Sequence, residues 1–136
     1  MHPSGSPLFS PKVVEKPWGR EIWYAEQADY AGKLLYVRKG GRLSLQFHRR
    51  KVETLYLLRG EILLTYQPAD EAEAVAPQAL TTYLWGAGLA LHVPARTLHR
   101  FEALEDSELL EVSTPYLGDV VRLSDDYGRQ DGDGGC

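Results

Sequence analysis

The chain has 136 residues, which suits one domain of ordinary size, and 15 Lys and Arg against 19 Asp and Glu give a formal charge of −4. This acidic balance argues against a surface built to bind nucleic acid, because such domains are usually strongly basic. The single cysteine, Cys136, excludes an intramolecular disulfide framework and a cysteine-rich zinc module, so a metal site would have to use histidine and oxygen ligands.

No segment has the composition of a targeting or membrane-spanning sequence. The first residues, MHPSGSPLFSPK, contain three prolines and lack the apolar run of a secretory signal. No uncharged stretch approaches the roughly 18 apolar residues of a membrane helix. We therefore expect a cytoplasmic protein that uses neither a membrane nor a nucleic acid as partner.

In chain order, residues 1–15 are predicted to form an N-terminal arm, residues 16–124 a barrel domain and residues 125–136 a flexible, glycine-rich tail. Residues 67–80 fit either a short helix or a surface loop. The rest has the texture of β-structure, since glycines and polar turns separate nine short runs: EIWYA, KLLYVR, RLSLQFH, ETLYLL, EILLTY, LTTYLW, LALHV, HRFEAL and SELLEVS. Many short strands at close spacing predict an all-β sandwich or small barrel.

Four side chains could form a metal site. Alternation within RLSLQFH places Gln46 and His48 on one face of a strand. Glu53 follows beyond a basic turn and can converge on the same point from a neighbouring strand, and His99 begins another strand. Two imidazole nitrogens, a carboxylate oxygen and an amide oxygen make a mixed site that suits Zn, Mn, Fe, Co or Ni, and zinc is our first choice.

Two histidines and a glutamate also occur by chance in chains of this size, but the wider spacing favours a site. The first block runs Gly40, five residues, Gln46-x-His48, four residues, Glu53, six residues, Gly60; the second runs Gly88, five residues, Pro94, four residues, His99. The two blocks resemble the motifs of the cupin superfamily, whose fold is a jelly-roll barrel, or double-stranded β-helix, around a metal. The sequence departs from them at Gln46, where many cupins have a histidine, and at Arg96, usually a glycine.

A narrower resemblance covers residues 16–129. Lys16-Pro17-Trp18-Gly19, Gly41-Arg42-Leu43-Ser44-Leu45-Gln46-Phe47-His48, His99-Arg100, Tyr116-Leu117-Gly118 and the segment from Val121 to Arg129 resemble segments of the type II mannose-6-phosphate isomerases, including their glutamine. That family includes the isomerase domain of bifunctional mannose-1-phosphate guanylyltransferases. The histidine-rich run of the family is replaced here by Arg49-Arg50-Lys51, which we expect to be a solvated turn. The glycine-rich nucleotide loop is missing, so we expect no nucleotidyl transfer.

The resemblance implies a metal-dependent isomerase that converts a sugar phosphate, foremost mannose 6-phosphate to fructose 6-phosphate. Glu111 is the candidate proton carrier, although alternation leaves open whether it faces the barrel or solvent, and Glu53 is a second candidate. Arg42, which shares the face of Gln46 and His48, is the first candidate for the phosphate, followed by Arg122 and Arg100. A homodimer is expected by analogy with other cupins.

Two other functions fit the same residues. Two histidines and one carboxylate are also the ligand set of Fe(II) oxygenases, in which case Gln46 would be a spectator. A non-catalytic cupin that binds a sugar or an anion is the third alternative.

Overall fold

The computed structural model describes residues 5–68, 80–116 and 118–129. Within them the chain forms two antiparallel β-sheets and no helix, so none of the described segments could cross a membrane as a helix. The strands are β1 (Lys12–Lys16), β2 (Gly19–Glu26), β3 (Ala31–Val37), β4 (Leu45–Phe47), β5 (Glu53–Arg59), β6 (Glu61–Pro68), β7 (Thr82–Gly86), β8 (Ala90–Val93), β9 (Thr97–Ala103), β10 (Ser107–Ser113) and β11 (Val121–Ser124).

The two sheets face each other as the walls of a jelly-roll barrel. One sheet has the order β1-β2-β3-β10-β5-β8 and the other the order β11-β4-β9-β6-β7. Strands far apart in the chain are therefore neighbours in a sheet, as when β10 pairs with both β3 and β5. The all-β prediction is confirmed, and each of the nine predicted runs overlaps one strand from β2 to β10.

The ends of the domain differ from the prediction. Strand β1 pairs with β2 from Lys12 to Lys16, so the sheet begins inside the predicted arm of residues 1–15. Its mostly exposed side chains give no apolar alternation from which the strand could be predicted. In the predicted tail, Asp126 forms an ion pair with Arg42, whereas residues 130–136 lie outside the described residues. Most of the predicted helix or loop at 67–80 also lies outside them.

Alternation gives the barrel an apolar interior and a second apolar layer on the outer face of the five-stranded sheet. The main core contains Trp18, Leu35, Val37, Leu43, Leu55, Leu57, Ile62, Leu64, Trp85, Val93, Phe101, Ala103 and Leu109. The outer layer contains Leu45, Phe47 and Leu98, covered by Leu80 and Val121. Because Leu45 and Phe47 face outward, Gln46 between them faces the interior, where it pairs in register with His99.

Candidate metal centre

Three strands bring two histidines and one glutamate together inside the barrel. His48 directly follows β4, Glu53 begins β5 and His99 lies in β9. One ligand atom from each residue lies within 4.8 Å of the others. The two carboxylate oxygens of Glu53 face the histidines, at 3.7 Å from His48 Nε2 and 3.8 Å from His99 Nε2. All three side chains are at most 2% exposed.

Hydrogen bonds fix which nitrogen of each histidine presents a lone pair. His48 Nδ1 donates to the carbonyl of Asp119, and His99 Nδ1 donates 2.9 Å to the carbonyl of Thr97. A carbonyl can only accept, so Nδ1 carries a proton in each ring and Nε2 is the nitrogen left to bind a metal. Burial, together with the neighbouring His99, lowers the pKa of His48 to about 4, which keeps this ring neutral at pH 7.

The donor set fits a divalent cation. A neutral Nε2 lone pair and a carboxylate oxygen are both acceptors, so their approach inside the barrel stabilises neither group. A cation placed between His48, Glu53 and His99 would be stabilised by all three side chains. Two imidazoles and one carboxylate are ligands of Zn, Fe, Mn, Co and Ni, and a backbone carbonyl behind each histidine is the support that metal-binding imidazoles usually have.

Gln46 lies beside this cluster. It is in register with His99 across β4 and β9, and its side chain is 3% exposed. Ser44 donates a hydrogen bond to Gln46 Oε1, and Arg122 Nε donates to Ser44 Oγ over 3.2 Å. The amide is thus held in place by a short relay that starts on β11.

The predicted solvated turn 49–51 is only partly solvated, because Lys51 is completely buried. Its Nζ lies 3.1 Å from Glu53 Oε2 and 3.3 Å from Glu111 Oε2, so one ammonium bridges two carboxylates. Arg49 and Arg50 remain exposed. A signal for Lys51 exists in the sequence, since Lys51, Glu53 and Leu55 extend the inward alternation of β5 by one step before the strand begins.

Glu111 faces the barrel interior, and the question that alternation left open is thereby answered. It is completely buried. Burial raises the pKa of Glu111 to about 7, with nearby Glu53 adding to the rise and Lys51 opposing it. Burial also acts to raise the pKa of Glu53, but the adjacent Lys51 ammonium favours the ionised carboxylate, and that pKa is lowered. Glu111 is therefore protonated more readily than Glu53.

A second buried ion pair continues the charged interior. Lys33 Nζ lies 3.4 Å from Glu21 Oε1, and the indole of Trp23 donates a 2.7 Å hydrogen bond to the same oxygen. Lys33 also lies 4.5 Å from the centre of the Trp23 ring and is in register with Glu111 on β10. Buried charged side chains thus extend from the histidines across β5, β10 and β3 to β2.

The three arginines predicted to bind phosphate occupy different places. Arg42 forms two hydrogen bonds with Asp126 and is 39% exposed, because the strand is interrupted before β4 and the alternation with Gln46 breaks. Arg100 alternates with His99 and donates to the Leu43 carbonyl, so it lies on the opposite face of β9. Arg122 is in register with Gln46 and shares its face.

The turn before His99 contains Arg96, where the resembled motif usually has a glycine. Arg96 has φ of 62°, the left-handed conformation that glycine adopts without strain. Its N–H donates 2.7 Å to the carbonyl of His48, which ties the turn to a ligand residue. The motif glycines Gly40, Gly60 and Gly88 also have positive φ, at 84°, 101° and 91°.

Sequence reasoning missed Asp119. Its carboxylate accepts hydrogen bonds from the backbone N–H groups of Arg49 at 3.0 Å, Arg50 at 2.7 Å and Lys51 at 2.9 Å. Its carbonyl accepts from His48. An aspartate in a polar segment carries no local signal for such contacts, because its partners lie about 70 residues earlier in the chain.

The fold matches solved cupin structures. An RmlC-like cupin from Shewanella frigidimarina aligns with a TM-score of 0.63 at 14% identity, over 77% of this chain and 84% of the other. Oxalate decarboxylase from Bacillus subtilis, described with Mn(II) centres, aligns with a TM-score of 0.65 at 21% identity, over 82% of this chain and 30% of the other. The chain has the cupin fold.

Curated sequences point to a narrower resemblance of this cupin. It is 30% identical over 121 residues to the alginate biosynthesis protein AlgA of Pseudomonas aeruginosa, covering 85% of this chain and 23% of that protein. It is 27% identical over 122 residues to a mannose-1-phosphate guanylyltransferase of Klebsiella pneumoniae, covering 87% of this chain and 24% of that protein. The cupin thus spans about a quarter of the length of these relatives. No protein-family model matches it.

Proposed function

We propose that this cupin is a metal-dependent aldose–ketose isomerase that acts on a sugar phosphate, foremost mannose 6-phosphate. The observation that carries the proposal is the convergence of His48, Glu53 and His99 beside a second buried carboxyl, Glu111, whose pKa is about 7. Isomerisation needs both a cation and a proton carrier. The resemblance to AlgA and to the guanylyltransferase supports the choice of substrate class.

The residues that would hold the ion are His48, Glu53 and His99, with Gln46 beside them. A divalent cation bound there would supply polarisation of the substrate carbonyl and stabilisation of the negative charge that develops on its oxygen. Zinc is the first choice, and Mn, Fe, Co and Ni suit the same ligands. The lowered pKa of Glu53 favours a permanently ionised ligand over a proton carrier.

Glu111 is the favoured proton carrier. The reaction moves one proton from C2 to C1 of the sugar and a second from the C2 hydroxyl to the C1 oxygen, and for the transfer between the carbons a single group that takes up and returns a proton is sufficient. In the metal-free protein burial raises the pKa of Glu111 to about 7, whereas that of Glu53 is lowered, so Glu111 is the stronger base of the two and the better suited to take up a proton. Lys51 Nζ lies 3.3 Å from Glu111 Oε2 and so helps to position the Glu111 carboxylate.

Among the three arginines, Arg122 is the favoured phosphate ligand. It shares a face with Gln46 and lies next to the interior, whereas Asp126 neutralises Arg42 and Arg100 lies on the opposite face of its strand. Its planar guanidinium suits a phosphate.

The experiment is metal analysis of the purified protein, followed by isomerase assays on hexose and pentose phosphates with and without EDTA. We expect activity that chelation removes and one metal restores. Glu111→Gln should lower kcat by about 10²- to 10⁴-fold with metal content unchanged. The matched control is Glu108→Gln in the same strand, because Glu108 pairs with exposed Arg59 and should leave kcat within about twofold. Metal-loaded protein without activity on any sugar phosphate would refute the proposal.

One observation favours an Fe(II) oxygenase as the second candidate. Ser44 donates to Gln46 Oε1, and if that oxygen stays with Ser44 the remaining ligands are two histidines and one carboxylate. Oxygen consumption by the Fe(II)-loaded protein, without isomerase activity, would select this candidate. Ligand binding that persists without turnover and is insensitive to EDTA would instead select a sugar- or anion-binding cupin.

The expected homodimer stays a prediction. The outer face of the six-stranded sheet carries exposed apolar side chains, including Tyr56 (42% exposed), Leu58 (44%) and Val112 (53%), which a partner could cover. Light scattering coupled to size-exclusion chromatography would measure the mass directly.

A further inference from the structure

Four consecutive residues that include a ligand converge on one aspartate. Asp119 accepts three backbone hydrogen bonds on its carboxylate, from Arg49, Arg50 and Lys51, and a fourth on its carbonyl from His48 Nδ1. Burial acts to raise the pKa of Asp119, but the three N–H donors outweigh it and keep the carboxyl ionised. A single residue thus anchors the whole turn that follows β4.

This turn sets the spacing between the ligands. The turn, residues 49–51, starts directly after the first ligand, His48. It contains Lys51, whose Nζ lies 3.1 Å from Glu53 Oε2, and Val52 alone separates it from Glu53, the second ligand. Val52 is held separately, by a 3.0 Å hydrogen bond from its N–H to Thr114 Oγ1. A change in the path of the turn would therefore move His48 and the ammonium beside Glu53 together.

The same segment also supports Gln46. Three residues after Asp119, Arg122 pairs with Gln46 in register and donates to Ser44, which in turn donates to the Gln46 amide oxygen. Residues 119–122 therefore support the side chains of both Gln46 and His48.

We propose that Asp119 is a positioning residue of the metal centre: its carboxylate fixes the turn between the two ligands and thereby keeps its own backbone carbonyl in place to accept from His48 Nδ1. The inference rests on the proposed metal binding by His48, Glu53 and His99. Groups that orient a ligating imidazole typically change metal affinity by 10- to 100-fold when they are removed.

The first test is titration of metal-free protein with Co²⁺, by calorimetry and by its visible absorption. Asp119→Ala should weaken binding about 10- to 100-fold and shift the Co²⁺ absorption bands. Asp119→Asn should recover part of the loss, because its amide oxygen still accepts from the turn. The matched control is Asp125→Ala, since Asp125 lies in the same segment but binds Arg129 through its carboxylate, and it should leave the affinity within about twofold.

The second test needs no metal. Long-range ¹H–¹⁵N NMR spectra of the metal-free protein should show a single Nδ1-protonated tautomer for His48. Asp119→Ala keeps the backbone carbonyl but removes the carboxylate contacts that fix its position, so we expect a mixture of His48 tautomers in this variant. His99, whose Nδ1 donates to Thr97, is the internal control and should be unchanged. If Asp119→Ala does not fold, Asp119→Asn is judged by the same two measurements.

The outcomes separate the two proposals. If the wild type binds Co²⁺ and both Asp119 variants bind it equally well, with His48 unchanged, the positioning role is refuted and the metal site stands. If the wild type binds no metal, the proposed function and the positioning role fall together.

Discussion

Lys51 sets the charge balance of the candidate site. Exposed, it would be one of three cations in a surface turn; buried, it is the counter-charge of both Glu53 and Glu111. Without it, two buried carboxylates would lie close together, where like charges raise the cost of ionising both. Lys51 thereby allows Glu53 to stay ionised as a ligand while Glu111 titrates near neutrality.

We predict that Lys51→Met lowers the free energy of unfolding of the metal-free protein by about 3–5 kcal/mol, because it leaves two buried carboxylates without their cation. Adding Glu111→Gln should restore part of this loss, since it removes one of the two charges. Urea unfolding measures both values. Arg49→Met, which removes an exposed cation from the same turn, should cost less than about 1 kcal/mol. A double variant as unstable as Lys51→Met alone would show that Lys51 acts through packing and not through charge.

At the scale of the elements, short turns place the ligands. The 49–51 turn connects β4 to β5, and the turn at Arg96 enters β9 two residues before His99. The two turns contact each other, because the Arg96 N–H donates to the His48 carbonyl. A left-handed arginine is strained by about 1–2 kcal/mol, and the rest of the motif holds it there.

We predict that Arg96→Val is less stable than Arg96→Asn by about 1–2 kcal/mol, because a β-branched side chain is poorly tolerated at φ of 62° and asparagine accepts it well. Both variants lose the guanidinium, so each controls for the other. The midpoints of urea unfolding decide the comparison, and equal midpoints would contradict a left-handed backbone at this turn.

At the scale of the whole molecule, the charges of the buried side chains do not sum to zero. Among the described residues, the buried charged side chains are three carboxylates, Glu21, Glu53 and Glu111, and two ammoniums, Lys33 and Lys51. With all of them ionised the interior carries one excess negative charge. Protonation of Glu111 removes this excess in the metal-free protein. A divalent cation would reverse its sign and favour ionised Glu111 instead.

The pH dependence of the metal-free protein follows from this balance. The pKa of Glu111 is raised from 4.5 to about 7 in the folded protein, so the folded state binds the extra proton between these values. Its contribution to stability is complete below pH 4.5 and is lost as the pH rises through 7. The lowered pKa of His48 has the opposite sign and destabilises the protein as the pH falls from 6.5 toward 4.

We predict that the stability of the metal-free wild type, measured relative to Glu111→Gln, falls by on the order of 3 kcal/mol between pH 4.5 and pH 8. The His48 contribution is common to both proteins and cancels in the difference. Saturation with the metal should flatten the profile. Urea unfolding at a series of pH values gives the measurement, and a difference that does not change with pH would contradict the raised pKa of Glu111.

The sequence alone determined the β-class and the strands from β2 to β10, and it predicted that His48, Glu53 and His99 come together, because alternation and the spacing within each motif can be read along the chain. Only the tertiary structure decided that Glu111 faces the interior, that Arg42 binds Asp126 and that Asp119 supports His48. The His48–Asp119 contact joins residues 71 positions apart. Such contacts depend on which segments fold against each other, and no periodicity within either segment carries that information.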